Sequence, residues 1–186
     1  SGDKPTKTDE KKDNDGKNQQ EEGGELSKEQ VEAIDFYQTK AYTAINKRLR
    51  EGLEMPDKLK EIVDSLDKSF KETDKKQTVY RGVTVSGDEL KKLSSLKEGD
   101  IYSDKAYIST SMDKEEADIF AFDDKNSFTF EIEIPKGAKA LDLSETSELM
   151  KDEKELLLPK DSKFEIVSKD NNNIKMKLID TENGKK

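Results

Sequence analysis

At 186 residues the chain has room for one domain plus a tail, and the absence of both cysteine and histidine excludes disulfides, thiolate nucleophiles, imidazole bases and the common zinc sites. A formal charge of -9, with lysines and acids interspersed and no basic stripe, argues against a nucleic-acid partner. Any chemistry must come from carboxylates, hydroxyls, arginine or lysine.

Residues 1–25 alternate Lys, Asp, Glu, Asn, Gln and Gly without apolar periodicity. They cannot bury enough surface to offset the entropy of ordering, so they are expected to form a flexible polar tether ahead of a folded domain at 26–182, with 183–186 as a tail. Ser1-Gly2 has the form of a cloning scar, and no apolar run reaches membrane-spanning length.

Ser27-Lys28-Glu29-Gln30 has the form of a capping box, and Ile34, Tyr37, Ala41, Ile45 and Leu49 follow at helical spacing, which predicts one long amphipathic helix. Leu59, Ile62, Val63, Leu66 and Phe70 predict a second helix with Pro56 in its first turn. The pattern then changes. Thr78 to Val83 predicts a strand, Ser86-Gly87-Asp88-Glu89 a helix start, Ala106 to Ser111 a strand, and Asp113 to Phe122 a short helix.

Phe128, Phe130, Ile132 and Ile134 alternate strictly along a strand from Ser127 to Ile134. Leu141 to Leu143 is a short strand, Ser144 to Asp152 a polar loop, and Glu153 to Leu158 a strand ended by Pro159. Strands at Lys163–Ser168 and Ile174–Ile179 flank Asp170-Asn171-Asn172-Asn173, which has hairpin turn chemistry. Helices first and strands afterwards predict an α+β fold.

A period of two puts Glu153 and Glu155 side by side on one face where that strand begins. Taken alone, alternating Lys and Glu at a strand edge is a solvated face. Two other segments change its weight: Tyr80-Arg81-Gly82 and Tyr107-Ile108-Ser109-Thr110-Ser111, in the order Arg, Ser-Thr-Ser, Glu-x-Glu. In this the chain resembles the bacterial mono-ADP-ribosyltransferase exotoxins. The likeness runs over residues 34–180 and takes in Tyr42-Thr43-Ala44-Ile45-Asn46-Lys47-Arg48-Leu49-Arg50, Ile134-Pro135-Lys136-Gly137 and the stretch from Glu153 to Phe164, the last similar to the enzymes of iota-like and insecticidal binary toxins.

The resemblance implies an ADP-ribosyltransferase fold, with N-terminal helices packed around two mostly antiparallel sheets that enclose a cleft for NAD. NAD is then a substrate, and no metal is called for. Arg81 matches the arginine that grips the dinucleotide, a task its planar fork suits better than a lysine does. Ser109 matches the serine that holds the catalytic glutamate, with Gly82, Thr110 and Ser111 beside it. Glu155 matches the glutamate that stabilises the ribosyl cation as nicotinamide leaves. Glu153 matches the residue that deprotonates an acceptor guanidinium, and a glutamic acid there implies an arginine target.

Arg50 and Asn46, four apart on one helical face, match positions around the adenosine and phosphates or form a surface pair exposed to water. Tyr42 on the same helix is a further ligand contact or a core aromatic, and Phe120 or Phe122 matches the wall of the nicotinamide pocket. By the same resemblance the chain is expected to be a monomer, secreted or tethered to the cell surface. It would act in a host cell on a target protein, with actin the leading candidate, and a separate translocation subunit or a membrane anchor would be the further partner. Two departures stand out: the loop after Ser-Thr-Ser carries Lys125 where close relatives have an arginine, and Ser147 to Lys151 lacks the aromatic that grips the target. An NAD glycohydrolase and a non-catalytic adhesion module that keeps the fold remain open alternatives.

Overall fold

The computed structural model describes residues 25–121, 125–146 and 154–180. The expected tether, apart from Glu25, lies outside them, as do 147–153, Phe122, the side chain of Phe120 and the C-terminal tail.

The capping box forms: Ser27 Oγ accepts from the Gln30 amide at 3.1 Å and Gln30 Oε1 accepts from the Ser27 amide at 2.9 Å. Helix α1 follows over Lys28–Phe36, but the helix does not stay regular. A π turn spans Tyr37–Ala41 before α2 resumes over Tyr42–Glu51, ending at Gly52, whose φ of 69° suits glycine. The spacing explains the difference. The apolar positions 37, 41, 45 and 49 step by four, which overshoots an α-helical turn of about 3.6 residues, and a wider turn absorbs the drift. Helix α3 spans Asp57–Asp67, with Pro56 at its cap rather than in its first turn, and Phe70 is buried beyond its end.

The remaining elements are β1 (Lys71–Glu72), β2 (Gln77–Thr84), α4 (Gly87–Ser95), β3 (Ile101–Asp104), β4 (Ile108–Ser111), α5 (Lys114–Phe120), β5 (Ser127–Ile134), β6 (Lys139–Asp142), a 3-10 turn (Leu143–Glu145), β7 (Glu155–Leu158), β8 (Ser162–Asp170) and β9 (Asn173–Asp180). Strand β3 was not expected: it is four residues long and only Tyr102 in it is buried, so it carries little periodicity. It stands because β8 pairs with it, Tyr102 opposite Phe164.

The nine strands run in the order β1-β6-β7-β4-β2-β5-β9-β8-β3. The ladders are antiparallel except β5 with β9. The two sheets of the sequence reading are therefore two halves of one order, joined between β2 and β4 by a single pair, Tyr80 opposite Ser111.

Two apolar clusters fill the molecule. One lies under α4 and holds Val79, Leu93, Phe128, Phe130, Ile132, Ile134, Phe164 and Met176; the other lies between the N-terminal helices and the sheet and holds Ile34, Tyr37, Ile45, Leu66 and Phe70. Strands β4 and β7 separate them. Leu156 and Leu158 face the first cluster and Leu157 the second, which accounts for three consecutive leucines, each nearly inaccessible to solvent. Burying a leucine contributes roughly 1.5–3 kcal/mol, so β7 is held firmly from both sides.

A polar stitch ties the helices to the sheet. The buried Tyr107 hydroxyl donates to Asp67 Oδ1 at 2.5 Å, and Lys160 Nζ pairs with Asp67 Oδ2 at 3.0 Å. Tyr107→Phe, which removes a donor to a charged group, is expected to cost about 1.5–3 kcal/mol in a denaturant melt. An unchanged melt would show that the hydroxyl contributes nothing.

Candidate active site

The site is set by strand register. Ser109 pairs with Leu157 and Ser111 with Glu155 across β4 and β7, so Ser109 and Glu155 are diagonal neighbours on one face. Ser109 Oγ donates to Glu155 Oε2. From the next strand, Arg81 Nη1 donates to the Ser109 carbonyl at 2.9 Å. From the π turn, Gln38 Nε2 donates to Glu155 Oε1 at 3.2 Å. Segments remote in the chain thus meet at one carboxylate.

They line a cleft of about 920 Å³, bordered also by Tyr42, Asn46, Arg50, Tyr80, Gly82 and Ala117. That is the upper part of the range for small-molecule and cofactor sites. Burial pushes the Arg81 guanidinium below its ordinary pKa, with Asp104 and Tyr102 opposing the shift. A desolvated guanidinium of this kind gains most from an anionic ligand. Arg50 is also partly buried, which alone would lower its pKa, but Asp104 more than offsets this and holds it raised. The pairing is bidentate, Nε to Oδ1 at 3.1 Å and Nη2 to Oδ2 at 3.0 Å. Asp104 also accepts from the Ala106 amide at 2.9 Å, so two cleft arginines share the field of one anchored carboxylate.

Asn46 lines the cleft, yet its amide is used on the scaffold. Nδ2 donates to Tyr37 Oη at 2.8 Å and Oδ1 accepts from the Tyr107 amide at 3.2 Å; since a backbone N–H can only donate, the amide orientation is settled. Burial pushes the Tyr37 hydroxyl up to about 12. Tyr42 is half-exposed and stands edge-on to Tyr37 at 6.3 Å.

Thr110 also borders the cleft, although its hydroxyl is engaged elsewhere. Its hydroxyl is buried and donates to the Leu156 carbonyl at 2.7 Å, stitching β4 to β7 on the face opposite Ser109, as the two-residue alternation requires. Ser111 Oγ accepts from the Asp113 amide at 2.9 Å, which steadies the turn into α5. Gly82 lines the cleft, but what demands glycine there is packing: a Cβ would lie 2.0 Å from the Ala117 carbonyl oxygen of α5.

Glu153 and Phe122 lie outside the described residues. Gln38 and Asp104 were not anticipated. No local pattern marks either, since each acts on a partner 117 or 54 positions away. Among the described residues, no three His, Cys, Asp or Glu side chains form a group able to hold a metal ion, and no helix is long and apolar enough to cross a membrane.

The family model for the ADP-ribosyltransferase exoenzyme matches residues 12–186. The chain belongs to that family. Within it, a Mycobacterium avium (strain 104) protein, Mav, whose name proposes an NAD(+)–arginine ADP-ribosyltransferase, is 32% identical over 147 residues. That match covers 77% of this chain and 16% of Mav, so the chain spans about one sixth of its relative's length.

The exoenzyme fold is also that of solved structures. Plx2a, an ADP-ribosyltransferase toxin from Paenibacillus larvae, superposes with a TM-score of 0.63 at 24% identity over 82% of this chain and 87% of its own. The Clostridium limosum C3 exoenzyme gives 0.65 at 23% over 82% and 86%. Exoenzyme S from Pseudomonas aeruginosa, solved with human 14-3-3 protein beta and carba-NAD, gives 0.66 at 20% over 85% and 77%. ADP-ribosyltransferase exoenzymes take NAD as their substrate, and the Arg81, Ser109 and Glu155 convergence lies in the cleft of a fold they share.

Proposed function

We propose that the chain is a mono-ADP-ribosyltransferase that cleaves NAD at the nicotinamide–ribose bond and transfers ADP-ribose to an arginine of a target protein. The observation that carries this reading is Glu155, held by Ser109 on one oxygen and facing the same cleft as the partly desolvated Arg81. The name given to Mav supports arginine as the acceptor.

In this reading Arg81 binds the pyrophosphate. Arg50 assists from the Nη1 edge, because its Nε and Nη2 edge is taken by Asp104. Tyr42 flanks the ligand, Asn46 holds the wall that Tyr37 forms, and Gly82, Thr110 and Ser111 fix the frame. As the bond from the ribose anomeric carbon to nicotinamide breaks, its electron pair leaves on the nicotinamide nitrogen and neutralises that ring. The positive charge left on the ribose is met by the Glu155 carboxylate, a fixed charge in a partly enclosed site. An arginine Nη then bonds to the anomeric carbon and gives up a proton, the task assigned to Glu153, with Phe122 closing the nicotinamide side.

The proposed catalytic domain spans 26–182, on a proposed polar tether of 1–25. Secretion or surface tethering, action in a host cell, a monomeric enzyme, actin as the target and a separate translocation subunit or membrane anchor complete the proposal.

The test is incubation with labelled NAD and a host lysate, then mapping of the labelled residue. Label on arginine supports the reading. Nicotinamide release without labelled protein would replace it with an NAD glycohydrolase, and no rise in melting temperature with NAD would replace it with a binding module, since a native-state ligand must stabilise. Arg81→Lys, which loses the planar fork, is expected to weaken NAD binding by roughly ten-fold or more, read by calorimetry. Equal affinity would remove Arg81 from the pyrophosphate.

A further inference from the structure

We propose that Gln38 is a positioning residue for Glu155, completing a two-sided clamp on the carboxylate. The inference rests on the reading of Glu155 given above. Ser109 donates to Oε2 from the neighbouring strand, and Gln38 Nε2 donates to Oε1 at 3.2 Å from the helix across the cleft. One donor on each oxygen fixes the plane of the carboxylate, which a single donor leaves free to turn.

Gln38 can do this because its own backbone is held. It belongs to the π turn at Tyr37–Ala41, and such turns within α-helices occur often at functional sites. Tyr37, the preceding residue, is 3% exposed, accepts from Asn46 at 2.8 Å and packs edge-on to Tyr107 at 5.5 Å. On the other side, the Thr39 hydroxyl donates to the Asp35 carbonyl at 2.7 Å. The amide is thus delivered to Glu155 from a rigid element rather than a loop, as a preorganised site requires. Its orientation follows from the partner: a carboxylate only accepts, so the NH₂ end must face it.

A residue acting through Glu155 affects the chemical step and not the grip on NAD. Gln38→Leu keeps the size and helix preference and removes the donor. The expected result is a roughly ten-fold fall in kcat for nicotinamide release, the lower end of what a hydrogen bond to a charged group supplies, with KM for NAD and the melting temperature unchanged. Gln38→Glu keeps the shape and sets a second carboxylate against Glu155. Its kcat at neutral pH should fall further than that of the leucine variant, because like charges at this distance oppose each other.

Should Gln38→Leu fail to fold, Gln38→Glu decides the matter by the same measurements. Wild-type kcat in either variant overturns the proposal, and so does a raised KM with kcat unchanged, which would put Gln38 on the substrate. If wild type and Glu155→Gln release nicotinamide equally, the reading of Glu155 itself fails. If only the Gln38 variants match wild type, that reading stands and the clamp does not.

Discussion

Glu155→Gln should bind NAD as the wild type does and transfer ADP-ribose slower by roughly two to three orders of magnitude, the loss typical of a removed electrostatic stabiliser. The amide preserves size; its carbonyl can still accept from Ser109, and Gln38 can turn its own amide over to accept from the new NH₂, so the strands β4 and β7 need not move. What disappears is the negative charge facing the anomeric carbon. Since that charge matters most when the ribose becomes cationic, kcat should fall while the NAD dissociation constant stays within about two-fold. Single-turnover kinetics beside calorimetry checks both halves. Equal transfer by the two proteins would remove Glu155 from catalysis, and loss of NAD affinity alone would make it a binding residue.

Gly82→Ala is expected to be severe for a different reason. The new methyl carbon would meet three backbone atoms, the Ala117 carbonyl oxygen at 2.0 Å, its carbon at 3.0 Å and the Ala121 nitrogen at 3.2 Å. None belongs to a side chain that could swing aside, so α5 must move off β2. Overpacking of this kind costs about 1–3 kcal/mol and can cost more. A domain of this size should then lose several degrees of Tm, at roughly 2–4 °C per kcal/mol. NAD affinity should fall with it, because Gly82 and Ala117 both border the cleft next to Arg81. A variant that melts with the wild type would mean that α5 is not seated as described.

What was legible in the sequence follows from the range of the forces involved. The capping box at Ser27 and the alternation along β5 are written within a few residues, and both appear where they were read. Arg81, Ser109 and Glu155 were found through short motifs in a family order, and the fold brings all three to one place. The π turn was hidden because a four-residue step is compatible with either helix type until packing chooses. Strand β3 was missed since its stability comes from β8, and Asp104 with it. Thr110 borders the cleft as the motif implies, but strand alternation commits its hydroxyl to the Leu156 carbonyl, which no motif could show. The two-sheet expectation missed the one pair that joins the halves, a feature with no local signature.

The leucines of β7 bear on how steadily the carboxylate is aimed. Both apolar clusters hold the strand from Leu156 through Leu158, immediately after the acid. Substitutions at those leucines would be felt in the aim of the carboxylate itself, because the strand that carries it would shift in its seat.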